Sequence, residues 1–225
     1  IAGLANIGLP AGNSSKSQEA VERMKSFDFF SRYFLSDVKL ENIVAVSRWA
    51  PEGNELIYDE SIFNSKTNTW EENISEQKAF TSYKERLNID LDSKTSFVTL
   101  SIKHKSPFIA KQWVDVITYN INESMRELDV ENAKNSIIFL NESTQSTSVQ
   151  SIREVISSIL ERQMQTLMLA SSNKAYVFKI IDSAVVPELK SGPSRAFISI
   201  VGTFIGIILS TFIAFFQHYR EFYKS

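Results

Sequence analysis

From Ser15 to Leu35 the apolar residues Val21, Met24, Phe27, Phe30 and Phe34 recur every three or four positions, the spacing of one helix face. Ser15, with Gln18 three residues on, offers a capping box at its start. A shorter helix is predicted over Leu40 to Ala50, ended by Pro51. Pro51-Glu52-Gly53-Asn54 reads as a turn and Leu56 to Tyr58 as a short strand. Glu71 to Leu87 is a predicted helix that buries Ile74, Ala79, Tyr83 and Leu87. The period then changes to two. Leu87, Ile89 and Leu91 alternate with polar residues, as do Val98, Leu100 and Ile102 after Ser93-Lys94-Thr95-Ser96, which predicts a hairpin with one buried face.

Ser106-Pro107 starts the longest element: a Ser N-cap with Pro at the first helical position. No Gly or Pro interrupts from there to Leu140, and Ala110, Val114, Ile117, Ile121, Met125 and Leu128 form an apolar stripe. Such a helix is about 50 Å long, too long for a small base to cover. Asn141 to Ser151, rich in Ser, Thr and Gln, reads as a turn, a kink or a mobile tip. Helical spacing resumes at Ile152, Ile156, Leu160, Met164 and Leu167. Ala175 to Val186 is β-branched and aromatic, which predicts a returning strand, and Pro187 and Pro193 link it onward. From Ala196 to Phe216 no residue is charged, and roughly 21 residues of helix span about 30 Å, the thickness of a bilayer's hydrocarbon. Arg195 borders this run on one side; His218, Tyr219, Arg220, Tyr223 and Lys224 crowd the other. Within it Gly202, Gly206, Ser210 and Ala214 recur every fourth position, which places small residues on one face for close packing against another helix.

The fold class expected is therefore α+β. Residues 1–105 supply the first part of a membrane-proximal α/β base, 106–172 a long protruding helix and its return, 173–193 a returning strand and Pro-containing linker, 194–217 a transmembrane helix, and 218–225 a short tail. An apolar stripe on so long a helix needs the returning helix or a second copy of the chain to cover it, which argues for a homo-oligomer. The first residues, IAGLANIGLPAGNSSKS, read as loop, and a start at Ile1 rather than Met fits a chain processed or cut from a longer one.

Composition narrows the chemistry. In 225 residues there are 24 Lys and Arg against 26 Asp and Glu, a formal net charge of −2, so no bulk field favours nucleic acid. An apolar share of 43% excludes a disordered chain, and the lack of Cys excludes disulfides, thiolate metal sites and a thiol nucleophile. His104 and His218 are the only histidines, too far apart in the plan to share a metal. Asp90-Leu91-Asp92 resembles the acidic pair of metal-dependent glycosyltransferases. Alternation puts both carboxylates on one strand face, which is also the solvated face opposite Ile89 and Leu91. Neither a G-x-S-x-G elbow nor a G-x-x-x-x-G-K-[ST] phosphate loop occurs. No catalytic, cofactor or metal residues are assigned.

The stretch SIKHKSPFIAKQWVDVITYNINESMRE (101–127) resembles the Wzz-type polysaccharide chain-length determinants, or polysaccharide co-polymerases. In these a strand ends in a His-Lys-Ser-Pro-like turn before a long helix; His104, Lys105, Ser106, Pro107, Ala110, Trp113, Ile121 and Asn122 carry the likeness. FKIIDSAVVPELKSGPSRAF (178–197) is similar to the family's Pro-rich entry to its final membrane helix, through Pro187 and Pro193, with Lys190 where a middle proline is common. Residues 21–70, with KSFDFFSRYF and LIYDESIF, are similar as well.

The resemblance implies a periplasmic domain held by two inner-membrane helices with both termini cytoplasmic, the first helix and a first strand preceding this chain. It implies ring-shaped homo-oligomers, commonly octameric. Their partners would be a membrane-embedded polysaccharide polymerase and its lipid-linked glycan, usually lipopolysaccharide O-antigen, whose modal length they set without catalysis. The branch that adds a tyrosine kinase is disfavoured by a tail with only Tyr219 and Tyr223. Two other classes compete. One is a tail-anchored coiled-coil assembly protein, disfavoured by the strand and prolines before the membrane run. The other is a membrane-anchored glycan-processing enzyme centred on Asp90 and Asp92.

Overall fold

In the computed structural model, residues 13–92, 94–146, 149–172, 175–189, 191–192 and 195–222 are described. Two compact units divide the chain, Ile1–Val186 and Pro187–Ser225.

The first unit opens with α1 (Asn13–Met24), which buries Ala20, Val21 and Met24. The single helix predicted over 15–35 is broken after Met24. Ser26 has extended backbone and its Oγ accepts from the Phe29 N–H at 3.2 Å, so it caps a new helix, α2 (Phe27–Phe29), that runs into a π-helical turn (Phe30–Phe34). The break resets the helical phase. Phe29, Phe30 and Phe34 are fully buried, whereas Phe27, expected on the inner face, is 41% exposed.

The helix predicted over 40–50 is likewise shorter. α3 (Leu40–Val44) gives way to strand β1 (Val46–Ala50), which pairs antiparallel with β2 (Glu55–Tyr58) across the Pro51–Asn54 turn. Asn54 sits at φ 51° and its Oδ1 accepts from Trp49 Nε1 at 2.8 Å, which stabilises the turn. β-Branched Val46 and aromatic Trp49 suit the strand better than a helix end. A second small hairpin, β3 (Phe63–Asn64) with β4 (Thr69–Trp70), has no counterpart in the sequence reading. α4 (Glu76–Arg86) starts later than predicted because Ser75 caps it through the Lys78 N–H; Ala79 and Tyr83 form its buried side.

The next hairpin matches its pattern. β5 (Leu87–Leu91) and β6 (Val98–Ile102) pair Leu87 with Ile102, Ile89 with Leu100 and Leu91 with Val98, and these apolar positions are the less exposed ones. The three hairpins stay separate two-stranded sheets. The core beneath them is aromatic. Tyr83 tilts against Phe30 and Phe34 and Trp113 meets Phe34 edge-on, at 4.7–5.2 Å between ring centroids, and the Tyr83 hydroxyl donates to the Met24 carbonyl at 2.8 Å. Burial pushes that phenol well above its usual pKa, so it stays a donor.

α5 (Pro107–Ser146) has 40 residues, about 60 Å of helix, and packs with α6 (Gln150–Ser172) across the short link between them. Its first half buries Trp113, Ile117, Ile121 and Met125 in the aromatic core. Ala133 on α5, with Ile156 and Ala170 on α6, is buried outside that core, along the seam of the two helices.

The segment predicted as a returning strand, 175–186, forms no ladder. It runs without regular structure, and Tyr176, Val177 and Phe178 lie against the core. The second unit contains α7 (Arg195–Phe222). Among the described residues no helix is long and apolar enough to cross a membrane. Side chains of α7 are described at Phe197 and over 199–213, a run shorter than the roughly 17–25 residues a span needs.

Candidate functional site

The root of α5 is built from the residues that the sequence singled out. Ser106 is 2% exposed and its Oγ accepts from the Ile109 N–H at 3.4 Å, the N-cap that starts the helix; Pro107 follows at the first helical position. His104 Nδ1 accepts from the Ser106 N–H at 3.0 Å, so Nε2 carries the ring proton and donates to the Asn42 carbonyl at 3.0 Å. The imidazole lies 4.9 Å from the Trp113 ring. Lys105 Nζ donates to the Val46 carbonyl at 2.7 Å, fastening the same turn to β1. This short stretch therefore ties β6, α3, β1 and α5 together.

Burial holds the His104 pKa below its ordinary 6.5. The carbonyls of Asn42 and Ser106, both within reach of the ring nitrogens, favour the charged ring and oppose the shift, while Arg86 and Lys105 reinforce it. Below pH 6.5 the unfolded chain takes up a proton that the folded chain refuses. The stability carried by neutral His104 is thus complete above that pH and is lost as pH falls toward the folded pKa. Unfolding midpoints measured from about pH 7 down to about pH 5 should fall more steeply for the parent chain than for His104→Gln, whose side chain does not titrate.

Further along α5, two asparagines face different neighbours. Asn120 Nδ2 donates to the Tyr33 carbonyl at 2.6 Å and to Asp37 Oδ2 at 2.7 Å. Asn122, 6% exposed, holds the return segment. Its Oδ1 accepts from the Val177 and Phe178 N–H groups at 2.7 and 2.9 Å, and its Nδ2 donates to the Phe178 and Thr118 carbonyls at 3.2 and 3.0 Å. One side-chain amide thus does for this segment what a neighbouring strand would do. That is why residues of strand-like composition need no ladder here. A second clasp lies nearby. Lys16 Nζ and the Tyr176 hydroxyl both reach Asp129 Oδ2 at 2.5 Å, joining α1, α5 and the return segment. Burial lowers the Lys16 pKa, but the Asp129 carboxylate together with the Tyr176 hydroxyl more than reverses this and holds the ammonium above its usual value.

The α5–α6 hairpin leaves large apolar side chains uncovered. On α6, Met164 and Met168 lie roughly 100° to one side of the Ile156–Leu167 seam, while Val155 and Leu169 lie roughly 100–140° to the other, at 100° per residue. Met168 is 71% exposed and Leu169 64%; Ile138 and Phe139 on α5 are exposed as well. The sequence stripe placed Ile152 and Met164 on the buried face, and both are exposed. In α7, a Cβ added at Gly202 or Gly206 would meet nothing within 4 Å, and Ser210 Oγ donates to the Ile207 carbonyl of its own helix. The side chain of Ala214 and all of Pro193 lie outside the described residues; Pro187 is exposed. Ala110 is half-buried.

Of the two carboxylates expected on one strand face, only Asp90 lies within the strand. Asp90 is exposed on β5, whereas Asp92 follows the strand and its Oδ1 accepts from the Lys94 and Thr95 N–H groups, which lowers its pKa and closes the turn. Among the described residues no three acidic or His side chains converge as a metal site.

Residues 144–219 match the GNVR family model, the G-rich domain on putative tyrosine kinase. The match covers the end of α5, all of α6, the return segment and most of α7. This domain is found in polysaccharide co-polymerase and tyrosine kinase-like proteins; it fits a polysaccharide chain-length determinant without singling out the Wzz type. No curated protein matches the chain.

Proposed function

We propose that this chain is a non-catalytic regulator, anchored in a bacterial inner membrane, that sets the modal length of a surface polysaccharide, lipopolysaccharide O-antigen first among them. It acts as a ring-shaped homo-oligomer beside a separate membrane-embedded polymerase and its lipid-linked glycan. The uncharged run 196–216 is the span, the bulk of the chain is periplasmic, and the C-terminus is cytoplasmic.

One observation carries the reading. The stretch matched by the co-polymerase-type domain contains α6, the helix that exposes apolar side chains on both sides of its seam. Two different exposed flanks on one helix are what a head-to-tail ring uses, since each subunit meets one neighbour with one flank and the next neighbour with the other. Contact between flanks would also cover Met164, Met168, Val155 and Leu169, which the single chain leaves in solvent.

The test has two parts. A strain deleted for this chain should show an altered ladder of surface-polysaccharide lengths on a gel, and an unaltered ladder removes the reading. In detergent, the full chain should run as a multimer by light scattering. Met168→Asp should weaken self-association by about tenfold or more, because an unpaired carboxylate is then forced into the contact, while leaving the fold intact at an exposed position. A parent chain that is monomeric at all concentrations sinks the ring.

A further inference from the structure

Beside the root of α5 lies a recess of about 270 Å³, lined by Asp37 and Lys39 before and at the start of α3, Asn42 on α3, Tyr58 on β2, and Gln112 and Trp113 on α5. Two of its polar groups, those of Asn42 and Asp37, are held by hydrogen bonds to other residues of the chain. The Tyr58 hydroxyl donates to Asn42 Oδ1 at 2.7 Å, so the Asn42 amide is oriented with its Nδ2 hydrogens left over. Asp37 Oδ2 accepts from Asn120, which leaves Oδ1 to accept from elsewhere. Among the described residues, no hydrogen bond or ion pair engages the Gln112 amide or the Lys39 ammonium. Trp113, 1% exposed, closes the floor and shows too little of its face to act as a stacking platform.

The chemistry of this set selects its ligand. The lining residues bring both donors (Asn42 Nδ2, Gln112 Nε2, Lys39 Nζ) and acceptors (Asp37 Oδ1, Gln112 Oε1, the Tyr58 hydroxyl) to one recess that also has apolar lining. One cation and one anion cancel, so no net field favours a charged guest. A ligand that satisfies both kinds of group must carry several neighbouring groups that each donate and accept, as the vicinal hydroxyls of a sugar do. The volume is just under the roughly 300 Å³ at which drug-sized pockets begin, room for one ring and not for a run of them.

We propose that this recess binds a single neutral pyranose unit of a glycan, with its hydroxyls bridging Asp37, Asn42 and Gln112. The proposal rests on the polysaccharide reading above and adds where the chain touches the polymer: at the root of the long helix, beside the His104–Ser106 turn.

Saturation-transfer NMR on the full chain in detergent tests it, with free galactose, glucose, rhamnose, N-acetylglucosamine and glucuronate as separate millimolar probes. Saturation should reach the ring protons of at least one neutral sugar. The Kd should rise about tenfold in Gln112→Ala and in Asn42→Ala, with the unfolding midpoint of Gln112→Ala unchanged, since that residue is exposed. Silence with every sugar overturns the proposal, as does binding that both variants leave intact. Displacement of the signal by sodium acetate also overturns it, since the recess is then an anion site on Lys39. An altered polysaccharide ladder alongside a silent recess retires the recess alone. Sugar binding alongside an unaltered ladder upholds the recess and retires the regulatory reading alone.

Discussion

Asn122→Ala is expected to cost about 3–5 kcal/mol of stability and to release the return segment. The alanine leaves the Val177 and Phe178 N–H groups and the Phe178 carbonyl without their partner. Each buried polar group left unpaired costs about 1–3 kcal/mol, and water entering the gap recovers part of that. Natively stable domains hold only about 5–15 kcal/mol in total, so the loss is large. Hydrogen exchange localises it. The Val177 and Phe178 amides should lose their protection first and most, while amides around Ile117 keep theirs. Parent-like protection at those two amides in the variant would refute the clasp.

Trp113→Ala should be at least as damaging, about 3–5 kcal/mol, for a different reason. Trp113 is 1% exposed and meets Phe34 edge-on at 5.2 Å and His104 at 4.9 Å. Truncation leaves a cavity between two groups that are held by their own neighbours and cannot collapse into it. His104 then faces the void, so the variant should also lose part of the pH dependence assigned to that histidine. Chemical denaturation at neutral and mildly acidic pH measures both effects. Trp113→Phe, which keeps an aromatic ring in the site, should recover most of the stability. A cost below about 1 kcal/mol for the alanine variant would mean that the core does not depend on this ring.

Local signals were legible in the sequence, and signals that depend on distant partners were not. The β5–β6 hairpin and the start of α5 at Ser106-Pro107 could be read because alternation and an N-cap act within a few residues. The break at Lys25-Ser26 was hidden by a stripe that runs through it. The available hint was Ser26 itself, a capping residue with Asp28 in the turn that follows. Val46 to Ala50 is too short for its period to separate strand from helix, although a Pro-Glu-Gly-Asn turn with a strand on its far side implied a strand on the near side too. The 175–186 segment has strand composition, but composition names no partner. Its partner is an asparagine side chain more than fifty positions away. Of the residues at the candidate site, His104, Ser106, Pro107, Trp113 and Asn122 stood out in advance. Asp37, Asn42, Tyr58 and Gln112 did not, since only tertiary packing brings three separate segments around one recess.

Beyond the aromatic core, α5 and α6 are joined along a single seam, and neither helix is interrupted by Gly or Pro there. A heptad removed from each helix at matched positions would restore the same facing residues and shorten the hairpin by about 10 Å. Reach is therefore a dimension that insertion or deletion in paired steps can tune without redesigning the foundation, much as the rungs of a ladder set its height without changing its feet.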